Sequence, residues 1–159
     1  MTEGPLEPLT RLVGTWVTEA FHPEMPDVTV YGTATIEWLE GERFLVLRAR
    51  SDHADFPDSI SMIGSTEMDR VEDSPSADPL AETEADLSMH YFDSRGVFRV
   101  YSASMDEGVW RLWRDAPGFA QRFTGTFAGD GHTIEGQWQM GRDDRGWDDD
   151  VQITYRREH

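Results

Sequence analysis

Residues 87–115 read LSMHYFDSRGVFRVYSASMDEGVWRLWRD. Three runs in this segment alternate apolar and polar residues, with the glycine-containing turns Ser94-Arg95-Gly96 and Asp106-Glu107-Gly108 between them. A period of two is typical of half-buried strands, and short turns of this kind join antiparallel neighbours. The segment therefore predicts a three-stranded antiparallel meander, made of Leu87 to Asp93, Val97 to Met105 and Val109 to Asp115.

The strand pattern continues on both sides of this meander. Upstream, the strand candidates are Leu12 to Phe21, Val28 to Trp38, Arg43 to Ser51 and Ile60 to Asp69; downstream, they are Gln121 to Ala128, Thr133 to Met140 and Trp147 to Arg156. Helical spacing is confined to Pro5 to Leu12, which is enough for one short turn. Sequential antiparallel strands leave two exposed edges unless the sheet closes. The sequence therefore predicts an all-β fold, an antiparallel up-and-down barrel of about ten strands with a short N-terminal helical turn.

Composition limits the class of protein. The 159 residues suit a single domain over residues 1–159, and a net charge of -17 opposes binding to nucleic acid and to anionic membranes. The chain contains no Cys, no apolar run of the roughly 20 residues that span a bilayer, and no secretory signal pattern at its start. We therefore predict a cytoplasmic protein whose partner is neither nucleic acid nor membrane.

Residues 70–86 interrupt the strand pattern. The segment has an excess of acidic residues, several Ser, Pro and Ala, and no periodicity, which predicts a mobile acidic surface loop. A tolerated insertion and a lid or partner-docking element both remain open at this point.

Large side chains on the more apolar side of each strand are candidates for the barrel lining. Taking that side as inward places a set of aromatic and sulfur-containing residues inside the barrel: Trp16, Trp38, Met62, Phe123 and Trp138. Inward Gly and Ala residues beside the indoles remove volume and leave room for a guest. A filled core and a hollow, ligand-sized interior are both compatible with this pattern.

Two arginines are candidates for a polar anchor inside the barrel. Arg114 shares a strand face with Trp110 and Leu112, and Arg48 shares one with two apolar residues of its own strand. An inward guanidinium would hold a carboxylate or phosphate group through paired, charge-assisted hydrogen bonds. An outward Arg with its stem lying on the barrel wall is the alternative.

Further candidates are His90, which lies within a predicted strand, and the pair Trp147 and Asp149. Simple alternation puts Trp147 and Asp149 on the same face as Val151 and Ile153, where they would mark one rim of a pocket. No His spacing suits a metal, no catalytic signature is present, and the sequence names no cofactor. We therefore assign no catalytic or metal-ligating residue.

The two ends of the barrel sequence resemble those of known barrels. Leu12-Val13-Gly14-Thr15-Trp16 is similar to the Gly-x-Trp opening of the calycin superfamily, the lipocalins and fatty-acid-binding proteins, and Thr154-Tyr155-Arg156-Arg157 resembles its closing strand. The resemblance implies that an Arg of the closing strand packs over Trp16 and seals one end of the barrel.

Internal motifs resemble a bacterial family of fatty-acid-binding-like barrels. They are Trp38 through Val46, His90 to Asp93, and Arg122-Phe-Thr-Gly-Thr-Phe with Gly136-x-Trp138. The similarity to the haem-binding nitrobindins is more distant, because the chain lacks the last two glycines of their Gly-x-Trp-x-Gly-x-Gly opening.

These observations favour a binder of a small hydrophobic or amphipathic molecule inside the barrel, rather than an enzyme. Two alternatives remain. One is a haem-binding barrel that uses His90. The other is an enzyme of the cyclase, isomerase or hydrolase kind, with acid–base chemistry by Asp149 and an Arg at the barrel mouth.

Overall fold

The computed structural model describes residues 4–54, 56–65, 87–115, 120–142 and 146–158. A 3-10 helix, Gly4–Leu12, precedes ten strands in these ranges. The strands are β1 (Gly14–His22), β2 (Met25–Trp38), β3 (Phe44–Ser51), β4 (Ser59–Ser65), β5 (Leu87–Asp93), β6 (Phe98–Asp106), β7 (Val109–Arg114), β8 (Ala120–Phe127), β9 (Thr133–Arg142) and β10 (Gly146–Arg157). The predicted fold class is confirmed.

Every strand pairs antiparallel with the next one along the chain, and β1 pairs with β10, so the sheet closes into a barrel. The predicted turns occupy the hairpin tips. Between β6 and β7, Glu107 and Gly108 have φ values of 50° and 77°. Positive φ at both central residues is what a tight hairpin turn matched to the twist of its strands requires. Closure gives each of the ten described strands a hydrogen-bonded neighbour on both sides.

Trp16 and the 3-10 helix close one end of the barrel. The Trp16 ring is fully buried, its Nε1 donates a hydrogen bond to the carbonyl of Leu12 at 2.9 Å, and the Arg157 guanidinium lies 4.2 Å from its centroid. Arg157 also donates from Nη1 to the carbonyl of Val13 at 2.6 Å and from Nη2 to that of Arg11 at 2.9 Å. The expected contact between Trp16 and an Arg of the closing strand is confirmed, and Arg157 makes it.

The closed half of the interior is filled with large side chains. Phe123 is 1% exposed and lies against Gly136, where an added Cβ would come within 2.6 Å of its ring. The inward glycines predicted to leave room for a ligand therefore make room for Phe123 in this half. In the open half, toward the start of β10, large side chains do not fill the interior.

The predicted acidic loop, residues 70–86, lies outside the described residues. The residues on either side of that gap, Ser65 and Leu87, are directly paired between β4 and β5. They stand at the end of the barrel closed by the 3-10 helix, since the opposite ends of these two strands lead to the open mouth. The two alternatives for this segment, a tolerated insertion and a lid or partner-docking element, therefore also fall outside the described residues.

Candidate functional site

A cavity of about 270 Å³ occupies the open half of the barrel. Its wall is mainly apolar: the contributing side chains include Leu47, Met89, Leu112, Trp138 and Ile153. These residues come from different strands, and each is placed inward by the two-residue period of its strand. Concave, largely apolar sites with a few polar groups are the usual form of small-molecule sites in proteins, and the volume lies near the lower limit of their usual range.

One cluster of polar side chains faces this cavity. The Tyr101 hydroxyl donates to Oε1 of Gln121 at 3.0 Å, and Nη1 of Arg99 donates to the same oxygen at 3.4 Å. Arg99 and Tyr101 are neighbours on the inner side of β6, and Gln121 lies on β8 and is 7% exposed. Because Oε1 accepts from both partners, the amide nitrogen of Gln121 is left as a donor beside the guanidinium. The cluster therefore presents donors and a positive charge.

The tyrosines of the cavity are neutral. Burial raises the pKa of Tyr155 to about 12. Burial also raises the pKa of Tyr101, against the opposing effect of the Arg99 guanidinium, and it raises that of Tyr91, together with the hydrogen bond to Asp93. Each phenol therefore keeps its proton near neutral pH.

Asp93 organises the rim of the cavity. Its side chain is fully buried and accepts hydrogen bonds from the Tyr91 hydroxyl at 2.8 Å and from Nη2 of Arg95 at 2.7 Å. The Arg95 hydrogen bonds, followed by those from Tyr91 and the backbone, hold the pKa of this carboxyl well below its usual range. Asp93 is therefore a fixed anion that orients Tyr91, which lines the cavity.

Trp110 lies on the cavity wall without a hydrogen-bond partner for its indole nitrogen. The residue is 2% exposed, and among the described residues Nε1 of Trp110 is the one buried side-chain nitrogen or oxygen that lacks a partner. An unsatisfied buried donor costs about 1–3 kcal/mol. Such a group calls for a physical explanation.

An outer compartment of about 440 Å³ continues from the cavity to the surface. Phe56 and Pro57, from the connection between β3 and β4, line both spaces. At the same mouth, Nε2 of His22 lies 3.4 Å from Oδ1 of Asp150. The mouth therefore carries charges of both signs, and it leads to the donor cluster inside.

The predicted rim residues Trp147 and Asp149 face outward. The prediction that they face inward is wrong because β10 contains a β-bulge. Between the pairs Asp149–Gln139 and Gln152–Gln137, β10 advances three residues while β9 advances two. Alternation is broken there, so Asp150 and Val151 both line the cavity. Asp149 is exposed and accepts a hydrogen bond from Nε2 of Gln139 at 3.0 Å, and the Trp147 ring lies 4.0 Å from the Arg122 guanidinium.

Three further candidates also lie on the outer face of the barrel. Met62 pairs with His90 between β4 and β5, on the side opposite to the cavity-lining Ser61 and Met89. The His90 ring lies 6.4 Å from that of Phe98 outside the wall. Arg48 is exposed beside an external groove. The haem and enzyme alternatives therefore lose the residues on which they depended, His90 and Asp149.

The remaining candidates face inward at different depths. Trp138 lines the cavity, whereas Trp16 and Phe123 belong to the filled half, and Trp38 is partly buried against the same core. Arg114 has the same orientation along β7 as Trp110 and Leu112, as expected, although it does not line the cavity.

Sequence reasoning missed Arg99, Gln121 and Asp150. For Arg99 the signal was present, because it alternates in phase with Tyr101, Ala103 and Met105, which are buried. Gln121 is likewise in phase with Phe123. Asp150 carried no such signal, because its inward position depends on the bulge.

Within the described ranges, no helix is long and apolar enough to cross a bilayer, and no group of His, Asp and Glu side chains is arranged to hold a metal ion.

No family model matches the chain, and no curated protein matches it. Solved structures share its fold, among them the following two. Rv2717c from M. tuberculosis superposes with a TM-score of 0.63 at 12% identity, over 100% of both chains. The S-type phycobiliprotein lyase CPES from Guillardia theta superposes with a TM-score of 0.51 at 12% identity, over 94% of this chain and 90% of its own. At this identity the likeness concerns the fold, and it agrees with the calycin-like architecture expected from the sequence.

Proposed function

We propose that this protein binds a small amphipathic molecule in the open half of the barrel. The observation that carries the proposal is an inward cavity with a largely apolar wall and two adjacent donors, the Arg99 guanidinium and the amide nitrogen of Gln121, whose oxygen is held by the Tyr101 hydroxyl. Asp150, the one carboxylate among the described lining residues, lies 3.4 Å from His22 at the mouth. Apolar contact with Trp138 and Leu47 supplies affinity without direction, whereas the donors fix the orientation of the guest.

The polar end of the ligand is an acceptor-rich, preferably anionic, group. A guanidinium forms two parallel hydrogen bonds to a carboxylate or a related oxyanion, and the amide nitrogen of Gln121 is a further donor beside it. Arg99 lines both the cavity and the outer compartment. The anionic end therefore lies toward the mouth and the apolar body lies deeper.

Anilinonaphthalene sulfonate, an amphipathic anion that becomes fluorescent when it leaves water, tests this proposal. We expect saturable binding to the folded protein, and a loss of about tenfold or more in affinity in Arg99→Gln, because a hydrogen bond to a charged group contributes about 1.5–3 kcal/mol. Arg48→Gln is the matched control, since Arg48 lies on the outer face, and it should bind like the parent protein.

Two outcomes would contradict the proposal. Equal affinity in the two variants would show that the probe does not use the cavity. Absence of binding, with no small molecule retained by the protein in native mass spectrometry, would show that the cavity takes no guest. Because the dye also binds loosened states, near-ultraviolet circular dichroism of each variant must match that of the parent protein. One structural neighbour is named as a phycobiliprotein lyase, so biliverdin belongs among the competitors tested.

A further inference from the structure

The mouth of the barrel has an acidic side as well as a basic one. Asp150 on β10 lines both the cavity and the outer compartment, and Glu24, in the turn between β1 and β2, lines the outer compartment. On the basic side, Arg99 on β6 lines both spaces, whereas Arg95 lines the outer one and is paired with Asp93. In the closed sheet β10, β1 and β2 are neighbours, and β6 is separated from them by three strands in either direction. Asp150 and Arg99 therefore face the opening from opposite walls.

The neighbouring imidazole of His22 does not neutralise the Asp150 carboxylate. Nδ1 of His22 accepts a hydrogen bond from the backbone N–H of Glu24 at 3.1 Å, and a ring nitrogen that accepts carries no proton. The imidazole in this arrangement is therefore uncharged, and its Nε2 lies 3.4 Å from Oδ1 of Asp150, which is long for a hydrogen bond. Among the described residues, no arginine forms an ion pair with Asp150. Since this side chain is only 17% exposed, water compensates its charge in part.

We infer that the polar end of the ligand is zwitterionic, with an ammonium or similar cationic donor on Asp150 and the anionic group on Arg99. This inference rests on the proposed function and deepens it, because it names the class of ligand: an apolar body with both charges at one end, as in an amino acid with a large apolar side chain. Both residues line the same cavity of about 270 Å³, so one small guest reaches both.

A ligand with an anion alone is the weaker fit. It would bring a second negative charge to the mouth and leave the partly buried Asp150 carboxylate without a counter-charge. A zwitterion meets each wall of the mouth with the opposite charge, through charge-assisted hydrogen bonds at both.

Two probes of almost the same shape separate the alternatives: indole-3-propionate, an anion, and tryptophan, in which an ammonium replaces one hydrogen on the carbon beside the carboxylate. In the parent protein at neutral pH we expect tryptophan to bind about tenfold more tightly, because a hydrogen bond between two charged groups is among the stronger ones. Isothermal titration calorimetry gives both dissociation constants. Their ratio within one protein cancels any common change in affinity.

Asp150→Asn keeps the shape of the side chain and removes its charge, so the preference for tryptophan should fall to unity or below. Asp149→Asn is the matched control, because it removes the same charge from the adjacent residue, which is exposed on the outer face, and it should keep the preference. An equal fall in both variants would show that the preference comes from the overall negative charge of the chain, and would overturn the inference.

The ratio in the parent protein decides even if Asp150→Asn does not fold. Equal or weaker binding of tryptophan there would overturn the inference and leave the proposed function intact, and so would a preference that persists in a folded Asp150→Asn protein. Anilinonaphthalene sulfonate separates the two failures. If the dye binds through Arg99 but neither indole acid binds, the zwitterionic class of ligand is refuted alone; if the dye does not bind through Arg99 either, the proposed function fails with it.

Discussion

Removal of the Trp16 side chain should cost more stability than removal of any exposed indole. Trp16 is fully buried at the closed end, donates to the carbonyl of Leu12 and lies under the Arg157 guanidinium. Emptying a core aromatic site costs about 3–5 kcal/mol. Loss of the hydrogen bond adds about 1 kcal/mol, and loss of the cation–π contact adds about 0.5–1 kcal/mol. Since these contributions overlap, we expect Trp16→Ala to lower the free energy of unfolding by about 5 kcal/mol.

Urea unfolding followed by far-ultraviolet circular dichroism measures this change. A loss of that size corresponds to a fall of about 10–20 °C in Tm for a domain of this length. The control is Trp147→Ala: Trp147 is 38% exposed and contacts Arg122 on the outer face, so its loss should cost less than about 1 kcal/mol. A cooperative Trp16→Ala protein that loses less than about 2 kcal/mol would refute the view that this residue holds the closed end together.

Three further outcomes are expected. Gly136→Ala should lower the free energy of unfolding by about 1–3 kcal/mol in urea titrations, because its Cβ would overlap the Phe123 ring; an unchanged midpoint would show that the ring moves freely. Asp93 has a folded-state pKa below its unfolded value of about 4, so its contribution to stability is present above that pH and is lost as pH falls below it. The urea midpoint of Asp93→Asn should therefore fall less between pH 6 and pH 3 than that of the parent protein, and parallel curves would contradict the assignment. Replacement of residues 70–86 by a short Gly-Ser turn should leave Tm almost unchanged, since closure of a loop costs only about 0.6 kcal/mol per doubling of its length, and a large drop in Tm would show that the segment is packed.

The strands could be predicted because turns and alternation are local properties of the chain. Closure also followed, since full closure is the arrangement that removes both edges of a run of antiparallel strands. The contact between Trp16 and the last strand was predicted from resemblance, with Arg156 and Arg157 both open. The structure selects Arg157, because Arg156 points outward and pairs with Glu19 at 2.9 Å.

The site could not be predicted to the same degree, because both faces of several strands are apolar. In β3, Leu45, Val46 and Leu47 are all buried, so hydrophobicity does not identify the inner face. Apolar residues also lie on the outer wall near His90, so hydrophobicity did not show that His90 faces outward. Here a long-range pairing register decides the orientation, and that register is not a local property of the sequence.

The bulge in β10 is a different source of error. An extra residue reverses the phase of alternation, and nothing in the run Asp148 to Gln152 marks where it occurs. Ile153 was correctly predicted to face inward, whereas Asp149 was not. The two-residue alternation therefore holds on each side of the bulge but not across it.

The pairing of β1 with β10 has a consequence for synthesis on the ribosome. β1 emerges early and can pair with β2, but its other edge has no partner until Ile153 and the residues around it have left the exit tunnel. During that interval the nascent sheet has an open edge and an uncovered apolar surface, the features that promote association between chains. The strong negative charge of the chain opposes such encounters. Slow translation of the last strand would therefore lower the yield of folded protein without any change in the stability of the finished barrel.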